Sequence, residues 1–564
     1  MKVKDIPYKR YTLEEARAQF EAFCKAFDSA KTVDEALKAR ELLEVLRIEY
    51  ETAASLAYNR FSLDTNSEFY QAEMAYYDEV GPLFSEIFNE VAEKLLTSPL
   101  RAELESRLNP RIFASLEIAK KAFDPCITED MQKENAVVTE YTKFMSALTV
   151  EIDGVSMPLS VARGSLEATD RSVREKAAKA IDAALAKNAE ALDSFYDQLV
   201  HIRHTMAQKM GYKNYVELGY YRMGRLDYDA GMVRVFRDNV AHDLVPVVAR
   251  IKADVARVLG IPNIAFYDND VYAAGEAPTP KLSKEDMFRA AAEMYDDMHA
   301  EVGAFMRSMQ ENEAFDVDAR EGKWGGGYCT TFPKYKQPFI LANFNGTSGD
   351  VDVLTHEFGH ALADYFLFKE GELELGVGGM ETAECHSMSM EFFSWKYMDK
   401  FFGENTQSYL YKHLLGALCF IPYGVAVDEF QHIIYENPDY TPAERKAVWK
   451  SLEEKYRPYL DYTGLPYLAE GTRWQYQMHI YEMPFYYIDY CLAQTVALAF
   501  LVASLEDYQS AFDRYLTFVR TGGRKAFGTL VEEAGLPSPF AEGALATMAE
   551  KASALAAKIA SKLN

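Results

Sequence analysis

The stretch most suited to chemistry is His356-Glu357-Phe358-Gly359-His360, an HExxH pattern. On a helix the two histidines lie one turn apart on one face, so both imidazoles can bind a single zinc ion. Glu357 lies beside them, where its carboxylate can touch a water on the metal as a general base without binding the metal itself. The competing interpretation is a pair of polar residues on an ordinary helix surface. The spacing therefore predicts a zinc helix, meaning a helix whose side chains bind zinc and activate a water molecule.

A third zinc ligand is expected on a neighbouring element, because a catalytic zinc usually has three protein ligands and one open position. Residues 381–393 (ETAECHSMSMEFF) predict a partly apolar helix in which a carboxylate needs a partner such as a dication. Glu384 is the predicted ligand. Glu391, on the same helix face, and Asp352, four residues before the first histidine, are predicted to orient ligands, although each can instead be a plain helix-face charge. His386 is expected to be a core or surface histidine rather than a ligand.

These stretches together resemble the M3 family of zinc oligopeptidases, the thimet-oligopeptidase-like group, and within it the oligoendopeptidase F branch. The resemblance is carried by HEFGH, the glycine-rich turn at 376–379 and the ExxExxxxxxE helix that follows. Residues 195–215 resemble the segment that opens the catalytic region of oligoendopeptidase F, and residues 168–181 resemble its N-terminal domain. The segment HIYEMPFYYIDY at 479–490 resembles the family's His/Tyr signature. One departure is Ala363, where many members carry a further histidine that is not a metal ligand.

The resemblance implies catalytic roles for the His/Tyr segment. Tyr486 and Tyr490, four residues apart, are expected to donate to the oxyanion that develops during peptide hydrolysis, with Tyr487 as the alternative to Tyr486. His479 is expected to bind the substrate or the same oxyanion. Since the chain has 37 tyrosines, core packing is the competing interpretation of this cluster. Separately, Tyr328 follows a glycine run that permits close backbone approach, and it is an expected substrate contact.

The elements that must position these residues are mostly helices. Residues 13–29 repeat apolar side chains at three- and four-residue steps behind a capping box, and similar patterns fill most of the chain. Residues 150–158 predict a small hairpin. Eleven of the 31 glycines fall between 322 and 379, around the expected zinc helix. Within that stretch, 325–332 and 337–345 are predicted strands, and the second offers an edge to which a peptide could add.

The resemblance also implies an architecture of two mostly helical lobes around a deep substrate channel, with a small β-sheet beside the zinc helix at its floor. Together with the absence of linker-like composition, it favours a helical N-terminal lobe over 1–200 and a zincin-like catalytic region over 201–564.

Composition limits the possible partners. Sixty Lys and Arg residues against 86 Asp and Glu residues give a net charge of −26, which argues against nucleic-acid and anionic-membrane binding. Six scattered cysteines, an N-terminus without a secretory signal pattern and a longest apolar run of only 495–505 favour a cytoplasmic protein. The expected cofactor is one Zn²⁺ per chain, and the expected partners are short peptides. The oligomeric state is not predicted.

These features together predict a zinc metalloendopeptidase that hydrolyses internal bonds of short unfolded oligopeptides. One alternative is a metallocarboxypeptidase or dipeptidase of a related helical zincin fold, which would need a cation to capture the substrate C-terminus. Arg473 lies near the His/Tyr segment in the sequence and could supply it. The other alternative, an inactive peptide-binding protein, is disfavoured because both histidines and both glutamates of the expected zinc site are present.

Overall fold

The computed structural model describes residues 1–275 and 277–563. Helices hold 73% of the residues, as the apolar periodicity predicts, and the sheets are small. The helices are α1 Leu13–Ser29, α2 Val33–Leu63, α3 Glu68–Leu96, α4 Arg101–Arg107, α5 Pro110–Ala122, α6 Thr128–Ala147, α7 Leu159–Gly164, α8 Arg171–Lys187, α9 Ala189–Lys209, α10 Tyr215–Arg222, α11 Ala230–Asn239, α12 Val245–Leu259, α13 Lys284–Met298, α14 Ala300–Glu311, α15 Gly349–Glu370, α16 Met380–Phe393, α17 Asp399–Phe402, α18 Thr406–Glu436, α19 Pro442–Tyr456, α20 Pro466–Ala469, α21 Met478–Glu482, α22 Tyr487–Glu506, α23 Tyr508–Thr521, α24 Phe527–Glu533 and α25 Ala546–Ala560. The strands are β1 Thr149–Ile152, β2 Val155–Pro158, β3 Ile264–Ala265, β4 Phe315–Asp318, β5 Tyr328–Phe332, β6 Gln337–Phe344 and β7 Leu460–Asp461.

Several helices begin where local sequence dictates. Thr12 and Glu15 form the predicted capping box of α1, in which each side chain accepts a hydrogen bond from the other residue's backbone N–H. Thr32 and Glu35 form the same arrangement at the start of α2. These caps satisfy N–H groups that a helix cannot pair internally, so the helix starts can be identified from the sequence.

The predicted hairpin at 150–158 is confirmed as the antiparallel pair β1–β2. Its two turn residues, Asp153 and Gly154, have φ angles of 54° and 78°. Two consecutive left-handed residues match the right-handed twist of the flanking strands, which is why Asp-Gly is a strong hairpin signal.

The strands predicted around 325–332 and 337–345 are confirmed as β5 and β6, but the predicted free edge of the second strand is wrong. The sheet order is β4-β6-β5, with β6 parallel to β4 and antiparallel to β5. Strand β4 carried no recognised sequence signal, and it occupies the side of β6 that the prediction left open. The two edge strands of the described sheet are therefore β4 and β5. Of these, β5 is closer in sequence to the predicted zinc helix.

The chain forms two compact units, each assembled from three stretches. One unit comprises Met1–Lys120, Thr279–Glu404 and Ala503–Gly535, and it contains the three-stranded sheet, α15 and α16. The other comprises Lys121–Pro278, Asn405–Val502 and Leu536–Asn564. The predicted division at 200/201 and the predicted channel stay predictions.

Within the described part of the chain, two helical segments are long and apolar enough to cross a membrane by length and composition, Asp399–Glu436 and Tyr487–Glu506. The second contains the apolar run at 495–505, so the surrounding helix is longer than that run alone indicated. In each segment 72% of the most apolar window is buried inside the protein. Such burial is typical of helices that form the core of a large domain.

Candidate metal centre and active site

Helices α15 and α16 pack closely at Gly359, the fourth residue of the HExxH pattern. A Cβ atom at this position would lie 2.6 Å from the carbonyl oxygen of His386 and 2.6 Å from the Cα atom of Ser387. Both atoms belong to the backbone of α16 and cannot move aside like a side chain. Glycine therefore permits the approach that brings Glu384 of α16 to the two histidines of α15.

The three predicted zinc ligands lie together. Nε2 of His356 is 3.4 Å from Oε2 of Glu384, and Nε2 of His360 is 3.7 Å from the same oxygen. One donor atom from each residue lies within 4.8 Å of the other two. A tetrahedral zinc with bonds of about 2.0–2.1 Å holds its ligand atoms about 3.4 Å apart. The donor set of two imidazoles and one carboxylate therefore fits zinc in both chemistry and spacing.

The other ring nitrogen of His356 is hydrogen-bonded to Glu391. Nδ1 of His356 donates to Oε1 of Glu391 over 2.6 Å, which leaves Nε2 directed at the ligand cluster. Burial alone would lower the pKa of His356, but its bonds to Glu384 and Glu391 raise that pKa well above the ordinary value. Burial lowers the pKa of His360 to about 4, with the charge of His356 acting in the same direction.

Asp352, the other predicted orienting residue, lies half-buried on α15 one turn before His356. Its predicted role stays a prediction. A further carboxylate that the sequence reasoning missed is Asp364, one turn after His360. The Thr331 hydroxyl of β5 donates to Asp364, and burial raises the pKa of this carboxyl to about 6.

Glu357 is buried beside strand β5. Burial raises the pKa of Glu357 to about 7, the negative charge of Glu384 adds to the rise and the positive charge of His356 opposes it. The backbone N–H of Cys329 favours the ionised carboxylate and so opposes the rise in its pKa, an effect that the sequence pattern did not indicate. A carboxyl group with a pKa near neutrality can both accept and return a proton at pH 7.

His386 is fully buried on α16, and neither ring nitrogen has a hydrogen-bond partner among the described residues. Its ring packs against Phe518 with centroids 5.7 Å apart, and burial lowers its pKa to about 3. The side chain is therefore a neutral core imidazole and not one of the clustered ligands.

Tyr328 begins β5 among aromatic neighbours. Its ring lies 5.2 Å from the ring of Tyr58 and 5.8 Å from that of Trp324, measured between centroids. Its hydroxyl accepts a hydrogen bond from the Asn59 amide over 3.4 Å. Trp324 is 39% exposed, so this end of the edge strand presents an accessible aromatic surface.

The predicted His/Tyr residues lie together in the second unit. The His479 ring is 5.8 Å from Tyr486, 4.9 Å from Tyr487 and 6.1 Å from Tyr490, measured between centroids. The amide of Gln477 and Nδ1 of His479 are 2.9 Å apart. Because the amide nitrogen must donate, Nδ1 accepts and the ring proton lies on Nε2. Burial lowers the pKa of His479, which favours this neutral form.

The turn that begins the tyrosine helix α22 depends on residues that the sequence reasoning missed. Phe485 has a φ of 67°, a conformation that costs a bulky residue free energy. Its N–H donates to Oε1 of Gln431 over 3.0 Å, and its carbonyl accepts from the Arg225 guanidinium. The same guanidinium donates to Oδ1 of Asp489 over 2.7 Å. Nothing in the sequence near 485 indicates this support, because the partners are distant in the chain.

Comparisons with known proteins place this site in a family. The family model described as Peptidase M3 N-terminal domain matches residues 3–123, and that of Peptidase family M3 matches residues 165–550. Residues 168–181 therefore fall in the peptidase match and not in the N-terminal domain that they were predicted to resemble. The oligopeptidase PepF of Bacillus subtilis (strain 168) is 24% identical over 546 residues, which covers 91% of this chain and 78% of that protein.

Solved structures agree over almost the whole chain. PZ peptidase A with a bound inhibitor is 40% identical with a TM-score of 0.91, and the match covers 98% of this chain and 99% of that one. An oligoendopeptidase F of Bacillus anthracis str. Ames is 38% identical with a TM-score of 0.86, covering 99% of this chain and 98% of that one. The chain therefore belongs to peptidase family M3 and is a metalloendopeptidase.

Proposed function

We propose that this chain is a zinc-dependent endopeptidase that hydrolyses internal peptide bonds of short unfolded oligopeptides. The observation that carries the proposal is the convergence of His356, His360 and Glu384 on one point next to the buried carboxylate of Glu357. No other group of three or more His, Cys, Asp or Glu side chains with this spacing occurs among the described residues.

The two histidines and Glu384 would hold one zinc ion per chain. When bound, zinc supplies a Lewis acid that polarises the scissile carbonyl and lowers the pKa of a coordinated water to about 7. Glu391 fixes the ring of His356 through Nδ1, and Asp352 is proposed to support the same helix turn electrostatically.

Glu357 is the proposed general base. Its carboxylate accepts the proton of the attacking water and then returns it to the leaving amine. A pKa raised to about 7 supports this double role, because the proton is neither too tightly held to be returned nor too weakly held to be accepted.

Strand β5 is the proposed alignment surface for the substrate. In the described sheet one side of β5 pairs with β6 and no strand pairs with the other side. An extended peptide that adds there would be held by main-chain hydrogen bonds, which do not depend on its side chains. Tyr328 would contact a substrate side chain at the start of this strand.

The His/Tyr cluster is proposed to stabilise the charge that develops on the scissile carbonyl oxygen. Tyr490 and Tyr486 would donate phenolic hydrogen bonds, which remain available at pH 7 because both groups are neutral. His479, with its proton on Nε2, would donate to the substrate or to the same oxygen. Tyr487 is proposed as a substrate contact or as the alternative donor to Tyr486. The support for these roles is the family resemblance of the segment 479–490.

Short peptides are the proposed partners, and the proposed compartment is the cytoplasm. All six cysteines are free thiols, which agrees with a reducing environment. The net charge of −26 gives no basis for nucleic-acid or anionic-membrane binding.

A library of peptides blocked at both ends tests the proposal directly. Mass spectrometry of the products should show internal cleavage that stops with a chelator and returns with added zinc. Products formed only from peptides with a free C-terminus would favour the carboxypeptidase or dipeptidase alternative. No products from any peptide, with stoichiometric zinc bound, would favour the inactive peptide-binding alternative.

A further inference from the structure

Arg473 is a half-buried cation that has no acidic partner among the described residues. Its guanidinium lies over two tyrosine rings, 3.9 Å from the centroid of Tyr476 and 4.8 Å from that of Tyr423. Its Nη1 atom is buried and has no hydrogen-bond partner among the described residues. Aromatic faces hold a guanidinium in place but leave its N–H groups, which lie in the ring plane, unsatisfied.

A second arginine, the exposed Arg163, approaches the same tyrosine and has no ion pair among the described residues. The Arg163 guanidinium, at the end of α7, lies 5.4 Å from the centroid of Tyr476. The nearby Glu453 does not neutralise either arginine, because its two oxygens accept from Arg457 and from the indole of Trp449. Two like charges therefore converge on one ring in a protein whose net charge is −26.

This arrangement is continuous with the His/Tyr cluster. The hydroxyl of Tyr423 donates to Oε1 of Gln477 over 2.6 Å, and the Gln477 amide donates to Nδ1 of His479. The ring that supports Arg473 is thus linked to His479 by two hydrogen bonds within one unit.

We propose that Arg473, assisted by Arg163, binds a carboxylate of the peptide substrate. A guanidinium presents paired N–H donors that match the two oxygens of a carboxylate, and Tyr423 and Tyr476 fix the plane of the donor. An incoming carboxylate would satisfy the buried Nη1 and relieve the repulsion between the two arginines. The inference rests on the proposed peptidase function and adds a charge preference to it.

The carboxylate has two chemical sources, the free C-terminus of the peptide and an Asp or Glu side chain. Steady-state kinetics on one cleaved sequence distinguishes them, with a free-acid or amidated C-terminus in one arm and with Glu or Gln replacements along the peptide in the other. We expect the wild-type enzyme to show a KM about tenfold higher for the neutral member of one pair, with kcat little changed. These substrate comparisons need no enzyme variant, so misfolding cannot obscure them.

The enzyme variants complete the test. In Arg473→Gln the KM of the charged peptide should rise about tenfold to that of the neutral peptide, and Arg163→Gln should produce a smaller change in the same direction. Arg250→Gln is the matched control, because Arg250 is exposed and pairs with Glu550 away from the tyrosines. Its kinetics should equal those of the wild type.

Equal kcat/KM for all acid and amide pairs and all Glu and Gln pairs would overturn the proposal. So would a charge preference that persists unchanged in Arg473→Gln. Either result leaves the proposed function intact as long as blocked peptides are still cleaved in a zinc-dependent manner. Loss of all zinc-dependent cleavage would instead refute the proposed function itself.

Discussion

At the scale of single residues, metal binding and protonation compete at His356. In the metal-free protein Glu384 and Glu391 hold this imidazole in its charged form, while His360 stays neutral because burial lowers its pKa to about 4. A metal ion can bind only the neutral imidazole, so it must displace the proton of His356.

Zinc affinity should therefore depend on pH through one proton. Below the raised pKa of His356, the apparent affinity of the metal-free protein should increase about tenfold per pH unit and level off above that pKa. Competition with a fluorescent chelator across neutral pH measures this slope. An affinity independent of pH throughout that range would contradict the protonation state assigned to His356.

The hydrogen bond from His356 to Glu391 makes a second prediction at this scale. Glu391→Ala should weaken zinc binding about 10- to 100-fold, because the ring loses its orientation and its acceptor. Glu391→Gln keeps an acceptor oxygen, so its loss of zinc affinity should be smaller. Chelator competition provides the measurement, and equal affinity in Glu391→Ala and the wild type would show that the ring is positioned by other contacts.

At the scale of secondary-structure elements, the site depends on how closely α15 and α16 approach. Gly359→Ala would place a methyl carbon 2.6 Å from backbone atoms of α16, closer than real contacts allow. We expect a loss of about 1–3 kcal/mol in the free energy of unfolding and weaker zinc binding. Urea unfolding and chelator competition measure the two effects.

Gly416 in α18 is the matched control for this prediction. It also lies in the interior of a helix, and a Cβ atom there would have nothing within 4 Å. Gly416→Ala should stabilise the protein by up to about 1 kcal/mol, the helix-propensity difference between alanine and glycine. If both variants are equally stable, close helix packing at Gly359 is not what requires the glycine.

The elements differ in how far they could be predicted from the sequence. The HExxH helix and the Glu384 helix can be recognised because local spacing fixes which residues share a face. Strand β4 could not be recognised because its partner strand, β6, lies elsewhere in the chain. The left-handed turn at Phe485 could not be recognised because Arg225 and Gln431, which bind its backbone, are distant in the sequence. The wrong assignment of a free edge to β6 follows from the missed strand.

At the scale of the whole molecule, the chain folds as two compact units, and all three proposed ligands belong to one of them. The family and the mostly α fold followed from motif spacing and resemblance, and so did the proposed ligand set. The assembly of each unit from three separate stretches could not be predicted, because composition and linkers do not indicate which segments pack together.

Zinc should therefore stabilise the unit that holds α15 and α16. Saturation at about 1,000 times the dissociation constant corresponds to about 4 kcal/mol of added stability. Calorimetry with and without a chelator should show a higher Tm for the zinc form, and hydrogen exchange in α15 and α16 should slow. Unchanged exchange in both helices on zinc addition would place the metal elsewhere.

The central claim is that Glu357 moves the proton at a zinc centre held by its neighbours. Glu357→Gln keeps the size of the side chain but removes the base, so it should retain one zinc per chain while kcat falls about 10²- to 10⁴-fold. The decisive measurement is kcat on a doubly blocked peptide together with the metal content of the same sample. A zinc-loaded variant with wild-type kcat would contradict the account.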